Sequence, residues 1–294
     1  MNAFGAAELR LAYITMSRGR VRLGFDASRQ AHFLRPFSTS ISDMTLIEMH
    51  QMTPAFRACW VAAGRHLDRQ VDGGIKFWIR AHPHPPWLEH LSFRLGNQLF
   101  FVRIVDVDGK IEGPGNPLGA ITAADLGNGI ACVLPMKCSQ SGEWVADLPG
   151  WGLLDEHTRK PMNPVALVTD ENIEMNAWER QSTAVQIVRD VLAKEGYRLA
   201  SWQSDQRVDP SIWFVGKSGG LEWVVVRCVV YPAKQAERPA NWDAIAASVA
   251  HMGRVGHFAS VCLASAEQDF SLSDAPSHPL WRGHAMHVRY RGLE

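Results

Sequence analysis

The stretch DPSIWFVGKSGGLEWVVVRCVVYP, from Asp209 to Pro232, sets an acid at the mouth of an apolar hairpin, a second acid, Glu222, at the start of the returning strand, and Arg227 midway along that strand. An arginine keeps its proton, so it can clamp an anion but cannot act as a base. Placed in a run of valines it demands a partner, and Asp209 or Glu222 can supply one. Three side-chain ends converging in an open cleft would be a site for catalysis, whereas a closed ion pair beneath helices would be scaffold.

A second cluster is AHPHPPWLEH, where His82, His84, Glu89 and His90 fall within nine residues. Imidazoles and a carboxylate are zinc ligands, and three of them with an open fourth position would make a zinc hydrolase. The three prolines of this segment favour an extended or polyproline conformation, so His82 and His84 need not share a face. A rigid surface loop with incidental histidines is the competing reading. Basic residues gather in two places. Arg18, Arg20 and Arg22 recur at period two and so lie on one face of a strand, as a solvated face or as a phosphate-contacting ridge. The C-terminal RGHAMHVRYRG brings together Arg282, His284, His287, Arg289 and Arg291. Trp202, Trp213, Trp223 and Trp242 can serve single-stranded bases as stacking platforms or fill a core.

Composition restricts these options. Thirty basic side chains balance thirty acidic ones in 294 residues, so no whole-molecule attraction to nucleic acid or anionic lipid is expected. From Val165 onward there are 13 Lys and Arg against 15 Asp and Glu. A nucleic-acid contact would therefore depend on local basic patches, and another protein is the alternative partner. The five cysteines are scattered and form no C-x-x-C, which fits a reducing cytoplasm better than a disulfide framework. No apolar run reaches about 18 residues, so a membrane span is not expected. GKS at Gly216 to Ser218 imitates the end of a phosphate loop, but it sits in a hairpin turn rather than between a strand and a helix.

The elements that must position these residues read as an α+β protein of two domains. The first, residues 1–164, is expected to be mixed α/β with an antiparallel sheet. A helical rhythm runs from Thr45 to about Val71, with Pro54 either breaking it or opening a second helix. Strands follow over 74–82 and 90–110, turned at Gly96-Asn97, and a short helix covers 118–129. The connection is placed in DLPGWGLLDEHTRKPMNP, residues 147–164, which is rich in proline, glycine and charge. In the second domain, residues 165–294, a helix starts at Asn176, has Glu179 as its capping partner and stops at Gly196. Three strands follow, then a helix from Asn241 to Met252 and a returning strand over 257–265. The run from Val224 to Val230 is nearly continuous in apolar residues, as for a central strand covered on both faces.

This order, with Asp209 ahead of the second strand, resembles the core of the PD-(D/E)XK, or restriction-endonuclease-like, superfamily over residues 176–265. The resemblance implies that Asp209 stands at the first metal-binding acid. On the third strand, where the family has an acid followed two residues later by Lys, this chain has Val225-Val226-Arg227. The second acid is missing, Arg replaces Lys, and Glu222, three residues early, is the available substitute; Glu179 is a further ligand candidate. Two readings follow. One is a nuclease-like module with a degenerate, inactive site that acts as a binding or interaction unit. The other is a Mg²⁺-dependent nuclease in which Asp209 and Glu222 hold the ion and Arg227 lies on the scissile phosphate.

Overall fold

The structure is a computed structural model that describes residues 53–80, 90–111, 118–206, 208–268 and 277–294; these residues fall in one compact unit. Two mixed sheets, built in turn along the chain, organise it.

The first sheet is introduced by helix α1 (Pro54–Asp68). Thr53 caps it by accepting the Phe56 amide at 3.1 Å, and Pro54 takes the first helical position, where its missing N–H costs nothing. Strands β1 (Phe77–Arg80), β2 (His90–Leu95) and β3 (Gln98–Asp106) run antiparallel to one another. Helix α2 (Leu118–Gly127) then carries the chain to β4 (Ile130–Cys138), which pairs parallel to β3. The expectation of an antiparallel sheet is corrected here: a helical crossover returns the chain in the direction it left, so β3 and β4 must be parallel. Strand β4 was not anticipated at all. Its Pro135 argues against a central strand, yet that position needs no N–H toward β3, and its carbonyl accepts the Asp147 amide.

Strands β5 (Trp144–Ala146) and β6 (Leu154–Asp155) both pair with β4. The stretch proposed as a connection thus packs on the first sheet, with Trp151 and Leu153 in the same core as Trp60, Phe93 and Phe100 beneath α1. The opposite face of this sheet packs Leu99 and Phe101 against α2.

The second sheet follows α3 (Ala177–Lys194), whose capping box is complete: Asn176 Oδ1 accepts the Glu179 amide at 2.9 Å and the Asn176 amide donates to Glu179 Oε2 at 3.1 Å. The chain leaves the helix through Gly196 at φ +86°, a left-handed conformation that favours glycine. The strands are β7 (Arg198–Trp202), β8 (Ile212–Val215), β9 (Leu221–Val230), β10 (Val255–Ser265) and β11 (Met286–Tyr290), with helix α4 (Trp242–Val249) between β9 and β10. Their order in the sheet is β11-β10-β9-β8-β7. The pair β9 and β10 is parallel and the other pairs are antiparallel.

The expected helix, three strands, helix and strand are therefore present, and β9 lies in the middle. Alternation along it divides the side chains between two cores. Val224 and Val226 pack with Val185 and Val188 of α3, while Trp223 and Val225 pack with Ile245 and Val249 of α4.

Candidate functional site

The site grows from a fork between β8 and β9. The ladder between them runs from Val215 opposite Leu221 to Ile212 opposite Val224, and the Ser211 amide extends it by donating to the Val224 carbonyl at 2.8 Å. Beyond that point the chain ahead of β8 departs, leaving the edge of β9 to be satisfied by side chains. Ser211 Oγ accepts the Val226 amide at 3.1 Å. Gln181, fully buried on α3, donates from Nε2 to the Val226 carbonyl at 2.8 Å and accepts the Cys228 amide on Oε1 at 3.1 Å. One glutamine thus replaces a missing strand over two backbone groups.

Asp209 and Arg227 close the fork. Arg227 Nη1 donates to Asp209 Oδ1 at 3.0 Å and Nη2 to Oδ2 at 2.5 Å, and Nη1 also reaches the Val226 carbonyl at 3.0 Å. Both side chains are mostly removed from solvent, at 23% exposure for Arg227 and 12% for Asp209. A bidentate guanidinium occupies both oxygens of the carboxylate, the geometry in which such pairs are strongest.

Glu222 is not brought to this place. It stands five residues before Arg227 on β9, so alternation sends it to the other face of the sheet. There its Oε2 meets His257 Nε2 at 2.8 Å, and the His257 ring packs against Phe214 of the α3 core. Glu179 is engaged elsewhere as well: Arg282 Nε donates to its Oε1 at 2.7 Å and Arg282 Nη2 to its Oε2 at 2.8 Å. The Mg²⁺ ligand set implied by the family resemblance does not fit these positions. Asp209 is held by Arg227, Glu222 faces away, and among the described residues no three His, Cys, Asp or Glu side chains gather as a cation would require.

The other candidates separate in the same way. Trp223 is core, its indole N–H donating to the Gly253 carbonyl at 3.0 Å. Trp242 packs on it at 4.9 Å, and Trp202 and Trp213 are half-buried against the two cores. Arg18, Arg20, Arg22, His82, His84 and Glu89 lie outside the described residues; His90 opens β2 and is buried. Burial pushes the Cys59 and Cys228 thiols up to about 12 and raises Cys132 and Cys262.

Arg289 and Arg291, by contrast, are brought toward Arg227. Arg227 on β9 is in register with Ser260 on β10, and Arg289 on β11 with Cys262, so all four share the α4 face. Helix α4 has eight residues and covers only the first half of these strands. Beside it lies a shallow cleft lined by Ser260, Arg289, Arg291, Gly292 and Glu294 and, from the chain after β9, Lys234 and Gln235. Ser260 Oγ accepts the Ala236 amide at 2.8 Å, which fixes that crossing chain. Lys234 is the member that sequence reasoning missed, since nothing near it in the chain marks it as part of a patch.

The family described as Domain of unknown function (DUF8840) matches residues 178–294. The match starts one residue inside α3 and takes in the whole second sheet. Neither the curated proteins nor the solved structures contain a match to the chain.

Proposed function

We propose that residues 165–294 form a nuclease-like module that does not cleave and that works as a binding unit in the reducing cytoplasm, with nucleic acid as its partner. The observation that carries this reading is the bidentate Asp209–Arg227 pair at the fork of β8 and β9. The element order and the central β9 support a kinship with the restriction-endonuclease-like superfamily, and the pair stands where that kinship would put the first metal-binding acid. The guanidinium takes a lone-pair site on each Asp209 oxygen and sets a permanent positive charge where Mg²⁺ would have to sit, and hydrolysis of a phosphodiester by this route needs more than one carboxylate ligand. Five unpaired cysteines accord with the compartment, and no helix among the described residues is long and apolar enough to cross a membrane.

Binding would be carried by Lys234, Arg289 and Arg291, three cations against the single carboxylate side chain of Glu294 in the cleft of an otherwise neutral molecule. Fluorescence anisotropy with labelled single- and double-stranded oligonucleotides tests this. Arg289→Ala with Arg291→Ala should weaken binding across sequences alike. The slope of log K against log salt should fall by roughly 0.7 to 0.9 for each phosphate contact removed. Equal binding by the wild type and the double variant would remove the cleft from the account.

A further inference from the structure

Between the edge of the first sheet and α3 lies a crevice on the side of the second sheet away from Asp209, and its chemistry has no part in the site above. Its floor carries Phe77 and Leu99 with Arg94, and its roof carries Trp178, Ser182 and Gln186 together with Glu179, the one carboxylate of the lining. Arg94 stands directly opposite Phe77 in the β1–β2 register, and its guanidinium lies over that ring at 4.2 Å. It is half-buried, yet no hydrogen bond or ion pair to a described residue holds its five N–H groups. Burial pushes its pKa down from the ordinary value, an effect that Glu179 opposes and Arg282 reinforces.

The neighbouring charges do not balance. Arg282 is only 1% exposed and spends Nε and Nη2 on Glu179, and its Nη1 is buried without a hydrogen-bond partner. Two guanidiniums thus face one carboxylate whose oxygens are already taken by Arg282 and by the Asn176 amide. Ser182 adds a donor: its Oγ accepts from Gln186 and from Ser204, which leaves its own proton to give. A desolvated cation lacking an acceptor is unfavourable, and an anion would relieve it. The positive end of α3 favours the same sign of charge.

We propose that this crevice is a binding site for an oxygen of the oxyanion head group of a small molecule, held by Arg94 and Ser182, with the apolar remainder outside it against the half-buried Trp178. The crevice has room for about one water molecule, so a single oxygen of a carboxylate or phosphate would enter it and the rest of the ligand would lie outside. Both sources offer the same chemistry to Arg94, and they differ in charge and in the apolar part.

Isothermal titration of the full chain at low salt, with inorganic phosphate in one arm and benzoate in the other, tests the site. One of the two should bind with one-to-one stoichiometry at millimolar affinity or better. Benzoate alone would assign a carboxylate, and phosphate alone a phosphate. Arg94→Gln should weaken the binding roughly tenfold or more, and Arg94→Lys, which keeps the charge, should retain part of it. Ser182→Ala should weaken it a few-fold without touching Arg94. Absence of binding in both arms, or unchanged binding in Arg94→Gln, overturns the proposal. The outcome is independent of oligonucleotide binding at Arg289 and Arg291.

Discussion

At the scale of single residues, the pair Asp209 and Arg227 decides between catalysis and scaffold. Removing one partner leaves the other charge in a place mostly closed to water, and this costs more than the pair contributes as a unit. Asp209→Ala and Arg227→Met are each expected to destabilise the fold by about 2 kcal/mol, less than for a fully buried pair because both groups keep some solvent. The double variant should lose less than the sum of the two, with a coupling of about 1 to 2 kcal/mol in a cycle of urea denaturation measurements. Additive losses would show that the two side chains do not sense each other. That Arg227 needed a carboxylate was legible from its place among valines. Which carboxylate was not: Asp209 and Glu222 are equivalent in composition, and only the face each occupies separates them. Alternation along β9 already held the answer, because five residues separate Glu222 from Arg227. Arg94 was invisible for a different reason. A lone arginine on a strand has no signature, and its significance comes from what fails to meet it across the crevice.

Among the elements, β9 is the best determined by sequence and the most dependent on its surroundings. Its apolar run signalled a strand covered on both faces, and the helices starting at Ala177 and Trp242 provide the covers. The departure of the chain before β8 could not be read, because it depends on a glutamine from α3 standing in for a strand. Gln181→Leu is expected to remove both bonds to β9, leaving the Val226 carbonyl and the Cys228 amide buried without partners. The cost should be about 2 to 4 kcal/mol, seen as a lower urea midpoint at unchanged m-value, together with faster amide exchange at Cys228. Stability within about 0.5 kcal/mol of wild type would mean that the fork is not held from α3. Strands β4 and β11 escaped sequence reasoning altogether. Pro135 interrupts the first, and the second is an edge strand of only five residues whose His287 and Arg289 read as part of a basic cluster.

For the whole molecule, the chain after residue 280 ties the two sheets together. The Arg282 amide donates to the Ile173 carbonyl, its Nη2 reaches the Gly127 carbonyl at 2.5 Å where α2 ends, and Nε and Nη2 grip Glu179 at the start of α3. Trp178 packs on Phe101 at 5.5 Å across the same boundary. None of this was legible, since it joins residues 77 or more positions apart. Arg282→Met strands Glu179 as a buried charge, and should lower the melting temperature by on the order of 10 °C in calorimetry; a shift of a degree or two would show that the tie is decorative. The proposed function rests on Asp209, the acid that the proposed nuclease-like frame would use, being locked by Arg227. The measurement that tests this most directly is incubation of the intact chain with single- and double-stranded DNA and RNA in Mg²⁺ or Mn²⁺, beside Asp209→Ala. The account predicts no cleavage above buffer by either protein, and metal-dependent cleavage by the wild type that disappears in Asp209→Ala would contradict it.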